Sequence, residues 1–155
     1  TKNYYKKINE EHNQDLQVYL QKKKRIMVMK NKKRILIIDD DVSIRLLLKE
    51  LLQKMNYEVD LCEDVVRMFG SIQFNIKPDL IILDVMMELM DGFEIYTQLR
   101  NISGYENIPV IFLTALASDK FKKKALELGA AAYIEKPFNI PELLDIINKC
   151  LNKNV

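Results

Sequence analysis

The chain reads as an α/β domain: a doubly wound, five-stranded parallel sheet flanked by five helices, behind a basic N-terminal extension. Three observations predict it. Short continuous apolar runs recur from position 34 onward, amphipathic stretches of helical length separate them, and acidic, hydroxyl or basic residues stand just past the runs. Runs that are apolar on both faces suit strands covered by helices on both sides, because a sheet with one wet face reads as alternation. Strict β-α alternation over about 120 residues, joined by right-handed crossovers, closes into an open parallel sheet.

The extension comes first. Residues 1–33 carry ten Lys or Arg against three Asp or Glu, while the remainder carries fourteen against nineteen, so the net charge of +2 averages a basic leader and a mildly acidic domain. Tyr5, Ile8, His12, Leu16 and Tyr19 recur at gaps of three and four, a thin helical stripe. A helical leader or linker over 1–33, joined to a domain over 34–155, is therefore expected. The leader has no aromatic interleaving or groove-reading motif, so direct nucleic-acid binding is not expected. His12, the only histidine, reads as an exposed leader residue. Because the chain opens on Thr1, a longer parent protein is expected. With 48% hydrophobic and 30% charged residues the composition is that of a folded protein, and no apolar run approaches the roughly 20 residues that cross a bilayer. A cytoplasmic location follows as the expectation. Cys62 and Cys150 stand far apart, which argues for buried thiols and against zinc.

The predicted strands are Ile35 to Ile38, Tyr57 to Cys62, Leu80 to Leu83, Val110 to Leu113 and Ala131 to Ile134. Ser43 to Met55 follows the first strand as a helix with Leu47, Leu48, Leu51, Leu52 and Met55 on its apolar stripe. Asp91 with Glu94 forms a capping box for the third helix, which Ser103-Gly104 ends. Ser118 caps the fourth, stopped by Gly129. Asn139 with Glu142 caps the fifth, Pro141 is tolerated in its first turn, and Leu143, Leu144, Ile147 and Leu151 face the core.

In such a sheet ligands gather beyond the carboxyl ends of the strands, where strand order reverses. The first strand ends in Asp39-Asp40-Asp41, the third in Asp84, the fourth in Thr114, and Lys136 follows the fifth. Each alone reads as a turn or cap residue; four strand ends converging on one rim read as a site. Clustered carboxylates repel, so a cation must share the site, and an oxygen-only donor set suits Mg²⁺, with Mn²⁺ as an alternative, better than zinc or copper. Asp84 is placed to act as a nucleophile toward phosphorus, giving an acyl phosphate. Thr114 can donate its hydroxyl to a phosphoryl oxygen, and Lys136 supplies a compact positive charge.

Ile-Leu-Ile-Ile-Asp-Asp-Asp at 35–41, Pro-Asp-Leu-Ile-Ile-Leu-Asp at 78–84, Met90-Asp91-Gly92, Leu113-Thr114-Ala115 and Lys136-Pro137-Phe138 resemble the receiver domain of bacterial two-component response regulators. The separations fit that family too: 44 residues from Asp40 to Asp84, 30 to Thr114 and 22 to Lys136. The resemblance implies a flavodoxin-like fold with strand order 2-1-3-4-5 and a cis peptide at Lys136-Pro137. It implies that Asp84 accepts a phosphoryl group from a histidine kinase or phosphotransfer protein, with Mg²⁺ held by Asp39, Asp40, Asp84 and the Met86 carbonyl. Thr114 and Lys136 match the phosphoryl-sensing pair and Tyr133 the aromatic switch, with output through the surface of the fourth helix, fifth strand and fifth helix to an unnamed partner. Such a domain is a phosphoacceptor and not an enzyme acting on other substrates.

Some positions depart from the pattern. Glu88 replaces a usual proline, and Met86 and Leu116 put apolar groups where the family tunes self-dephosphorylation, which implies a long-lived phosphoaspartate. Ala130-Ala131-Ala132 replaces the acidic pair of the winged-helix subfamily, weakening the case for its dimer while leaving a homodimer open. Lys120, Lys122, Lys123 and Lys124 read as a solvated helix face, and the seven methionines as core filling. A haloacid-dehalogenase-type phosphatase is disfavoured because Val85-Met86 provides no second Asp two residues past Asp84. A degenerate receiver is disfavoured by the complete Asp, Asp, Asp, Thr, Lys set.

Overall fold

A computed structural model describes residues 17–18, 21–22, 32–63, 65–71 and 77–152. The leader stripe at Tyr5, Ile8, His12, Leu16 and Tyr19 lies outside the described residues. The chain divides into two units, Thr1–Lys32 and Lys33–Val155.

The second unit runs β1 (Arg34–Ile38), α1 (Val42–Lys54), β2 (Glu58–Cys62), α2 (Val65–Ser71), β3 (Leu80–Leu83), α3 (Gly92–Arg100), β4 (Val110–Thr114), α4 (Asp119–Glu127), β5 (Ala132–Glu135) and α5 (Ile140–Asn152). All neighbouring strands pair in parallel, in the order β2-β1-β3-β4-β5. From β1 the chain steps outward to β2, then returns to the other side of β1 as β3. The order therefore reverses between β1 and β3.

Alternation along the strands sorts the core into two layers. Ile35, Ile37, Leu80, Ile82, Ile111, Leu113 and Ile134 face one way and meet Leu48 and Leu52 of α1 and Leu143 and Ile147 of α5. Ile38, Ile81, Leu83, Val110, Phe112 and Tyr133 face the other way, against Val65 and Met68 of α2, Phe93, Ile95, Tyr96 and Leu99 of α3, and Ala125 of α4. Strands covered on both faces have no position left for a polar residue before their ends, which is why the apolar runs were continuous and legible.

Several local expectations need correction. On α1 the buried stripe is Arg45, Leu48 and Leu52, whereas Leu47 and Met55 are exposed, because only positions three and four apart meet the sheet. Helix α3 ends at Arg100 with Asn101 as its C-cap, ahead of Ser103-Gly104. Ser118 occupies the N-cap of α4 but makes no side-chain capping bond. Asn139 does cap α5, accepting from the Glu142 N–H at 3.0 Å. Cys62 is buried and Cys150 half-buried. The four α4 lysines are exposed, with Lys123 near Glu127 at 3.8 Å and the Lys124 ammonium 4.2 Å from the Phe93 ring centre.

Gly92 opens α3 against the end of β3. Its N–H donates to the Val85 carbonyl at 2.9 Å, and a Cβ there would stand 2.2 Å from the Asp84 carbonyl oxygen and 2.7 Å from the Val85 Cα. Both obstacles are backbone, so neither can swing aside. Gly92→Ala is expected to destabilise the domain by about 1–3 kcal/mol, the usual range for overpacking, which thermal unfolding would read as a fall in Tm of roughly 2–12 °C. An unchanged Tm would contradict the close approach.

Candidate functional site

The strand order brings Asp39 and Asp40, at the end of β1, beside Asp84, at the end of β3, across the point where the order reverses. Lys136 arrives from the end of β5 on a cis Lys136–Pro137 peptide. One carboxylate oxygen from each of Asp39, Asp40 and Asp84 lies within 4.8 Å of the others.

Each acid is held differently. Asp39 is buried; its Oδ1 accepts from the Asp41 N–H at 2.8 Å and its Oδ2 from Lys136 Nζ at 2.6 Å. The same ammonium donates to Asp84 Oδ2 at 3.2 Å, and Asp84 Oδ1 accepts from the Met86 N–H at 3.1 Å. Asp40 is exposed, and its Oδ2 accepts from the Glu88 N–H at 3.3 Å. Asp41 stays outside the cluster. Its Oδ1 caps α1 by accepting from Ser43 and Ile44 N–H groups.

The electrostatics follow from three carboxylates facing one ammonium. Burial raises the Asp39 carboxyl above its ordinary value, although Lys136 and the Asp41 N–H pull it back. Burial alone would lower the Lys136 ammonium, but its contacts with Asp39 and Asp84 outweigh that and leave it raised. The cluster retains excess negative charge and offers only oxygen donors. Those residues fit a hard divalent cation.

Thr114 ends β4 and is fully buried. Its Oγ1 accepts from the Leu116 N–H at 3.3 Å, while the Tyr133 hydroxyl donates to the Leu116 carbonyl at 2.5 Å. The Tyr133 ring lies inward, 6.3 Å from that of Phe112, and burial, then the charges of Glu135 and Asp84, raise its hydroxyl so that it stays a proton donor. Leu116 is thus gripped at both ends of one residue. Met86 is exposed, and its N–H, rather than its side chain, is what engages Asp84.

Two participants were not anticipated. Arg45 sends Nη1 to the Asp39 carbonyl oxygen at 2.6 Å, and Gly92 clears space for the Asp84 backbone. A signal for Arg45 exists in the sequence: it shares the three-and-four spacing of Leu48 and Leu52, so it is a charge on a buried stripe. For Gly92 the sequence offers a glycine after a capping Asp, within the Met90-Asp91-Gly92 motif, with nothing that reveals its close approach to the Asp84 backbone.

The response regulator receiver domain family model matches residues 35–148. The probable transcriptional regulator ycf27 of Cyanophora paradoxa is 40% identical over 123 residues, covering 79% of this chain and 50% of that protein. Response regulator MprA of Mycobacterium sp. strain KMS is 40% identical over 111 residues, or 72% and 47% of the two chains. The chain therefore spans about half the length of the curated relatives it matches. Among solved structures, chemotaxis protein CheY4 of Vibrio cholerae matches with a TM-score of 0.71 at 33% identity, over 77% of this chain and 99% of that one. The BeF3-activated N-terminal receiver domain of Klebsiella pneumoniae RstA matches with a TM-score of 0.69 at 30% identity, over 78% and 100%. With the fold, the acidic cluster and these likenesses in agreement, the chain belongs to the family of response regulator receiver domains.

Proposed function

We propose that this domain accepts a phosphoryl group on Asp84 from a histidine kinase or phosphotransfer protein, in a reaction that needs Mg²⁺, and passes the signal on by a change of shape. The observation that carries the reading is the convergence of Asp39, Asp40 and Asp84 within 4.8 Å, with Lys136 bridging Asp39 and Asp84. Asp39, Asp40, Asp84 and the Met86 carbonyl would hold the ion, with Mn²⁺ able to substitute. A divalent cation there supplies neutralising charge to the phosphoryl oxygens and to the acids around them.

The chemistry of the chain's own residues follows. An Asp84 carboxylate oxygen attacks phosphorus, an O–P bond forms as the donor's N–P bond breaks, and the histidine nitrogen leaves with its electron pair. Before transfer, Asp39 and Asp84 hold the Lys136 ammonium above its ordinary value against the effect of burial, so a positive charge faces the arriving group. The arriving group adds roughly −1.5 to −2 charge. Thr114 then turns its hydroxyl toward a phosphoryl oxygen. That hydroxyl now accepts from Leu116, whose carbonyl accepts from Tyr133, so the shift is relayed through one backbone residue to the aromatic switch. Because a ligand moves an equilibrium only by its differential interaction with the two states, the phosphoryl–Thr114 contact is what biases the surface of α4, β5 and α5. That surface would meet the output partner, with a homodimer left open and without nucleic-acid contact by this domain. The protein would work in the cytoplasm, with residues 1–33 as linker; among the described residues no helix is long and apolar enough to cross a membrane.

Intact-mass measurement after incubation with acetyl phosphate tests the reading. One phosphoryl group is expected on the wild-type chain with Mg²⁺, none after chelation, and none on Asp84→Asn; uptake by Asp84→Asn would defeat the assignment. The apolar side chains of Met86 and Leu116 offer no hydrogen bond to a water lined up on phosphorus. The phosphorylated domain is therefore expected to decay over minutes or longer, and decay within seconds would show that another group positions the water.

A further inference from the structure

Among the described residues, four polar side chains are buried: Asp39, Asp84, Thr114 and Arg45. The first three form the site. Arg45 shares their burial without a role so far assigned, and it occupies a place on the α1 stripe that a leucine would fill without the desolvation cost of a cation. Its contacts say what the charge does there. Nη1 donates to the Asp39 carbonyl oxygen at 2.6 Å, and Nη2 pairs with Glu63, just past β2, at 3.2 Å. The Arg45 side chain is 7% exposed and that of Glu63 is 74% exposed, so the fork is clamped from the solvent side by an acid that is itself free to hydrate.

The carbonyl that Arg45 holds belongs to the peptide joining Asp39 to Asp40. That peptide sets the separation and direction of two of the three clustered carboxylates. We propose that Arg45 is a positioning residue for the divalent-cation site, its guanidinium fixing the Asp39–Asp40 peptide while Glu63 fixes the guanidinium. The inference rests on the cation reading above and adds a supporting pair that touches neither the ion nor the phosphoryl group.

A competing physical effect has the opposite sign, which makes the idea testable. If Arg45 acted only through its charge, it would repel a cation, and removing it would tighten Mg²⁺ binding. If it positions the peptide, removing it loosens the acids and weakens binding. Lysine separates the two further, since one ammonium on an unbranched stem does not reproduce a planar fork with two partners.

Isothermal titration of Mg²⁺ into the full chain provides the readout, with circular dichroism confirming that each variant is folded. Arg45→Gln is expected to weaken Mg²⁺ binding about 10- to 100-fold, the usual consequence of losing an outer support of a metal ligand. Arg45→Lys should keep the charge and still weaken binding. Glu63→Gln should weaken it measurably, by about two- to fivefold, the upper range for a solvent-facing ion pair, and should add nothing in the Arg45→Gln background. In phosphoryl uptake the half-saturating Mg²⁺ concentration should rise while that of acetyl phosphate stays unchanged. Equal or tighter Mg²⁺ binding by folded Arg45→Gln overturns the proposal. Should the Arg45 variants not fold, unchanged affinity in Glu63→Gln, an exposed site, overturns it instead. Failure of the wild-type chain to bind Mg²⁺ would remove the cation site itself, and this inference with it.

Discussion

Like charges held close together are the constraint around which this domain is arranged. The step from β1 to β2 and back to β3 puts two strand ends side by side, and both end in acids, so Asp39, Asp40 and Asp84 crowd into a space where their repulsion is only partly offset by Lys136. A cluster in that condition is not at rest electrostatically. Its unbalanced negative charge favours a cation beside it and disfavours any further anion while none is there.

The rest of the fold keeps this unfavourable cluster in place. Two apolar layers lock the strands that carry it, β3 being buried along its whole length. Gly92 lets α3 come up against the Asp84 backbone, and Arg45 ties the backbone of Asp39 to α1. The path outward is equally short. Thr114, Leu116 and Tyr133 are joined by two hydrogen bonds, so a displacement at the acidic rim has a covalent and hydrogen-bonded route to the inward tyrosine without any large rearrangement between.

How much of this was legible depended on the kind of signal each residue leaves. Strands buried on both faces announce themselves as unbroken apolar runs, and residues just past a run are marked by position alone, so the central strands and Asp39, Asp40, Asp84, Thr114 and Lys136 could be read directly, whereas the edge strand β2, interrupted by Glu58 and Asp60, left a weaker trace. Helix faces were harder. Leu47 and Met55 are as apolar as Leu48 and Leu52, and only the direction from which α1 meets the sheet decides that the first two are exposed. Contacts between segments left less trace still: nothing local to Gly92 reveals that Asp84 packs against it, and Arg45 looks like one more basic residue until its buried neighbours on the helix are counted. Asp41 shows the converse, an acid in the right place that folding assigns to a helix cap.

The central claim is that these three carboxylates together hold one divalent ion. Crystals of the domain grown with Mn²⁺, measured for anomalous scattering, address it most directly. A single anomalous peak within bonding distance of Asp39, Asp40 and Asp84 is the result expected. A manganese bound elsewhere, with the three acids turned away from one another, would contradict the account.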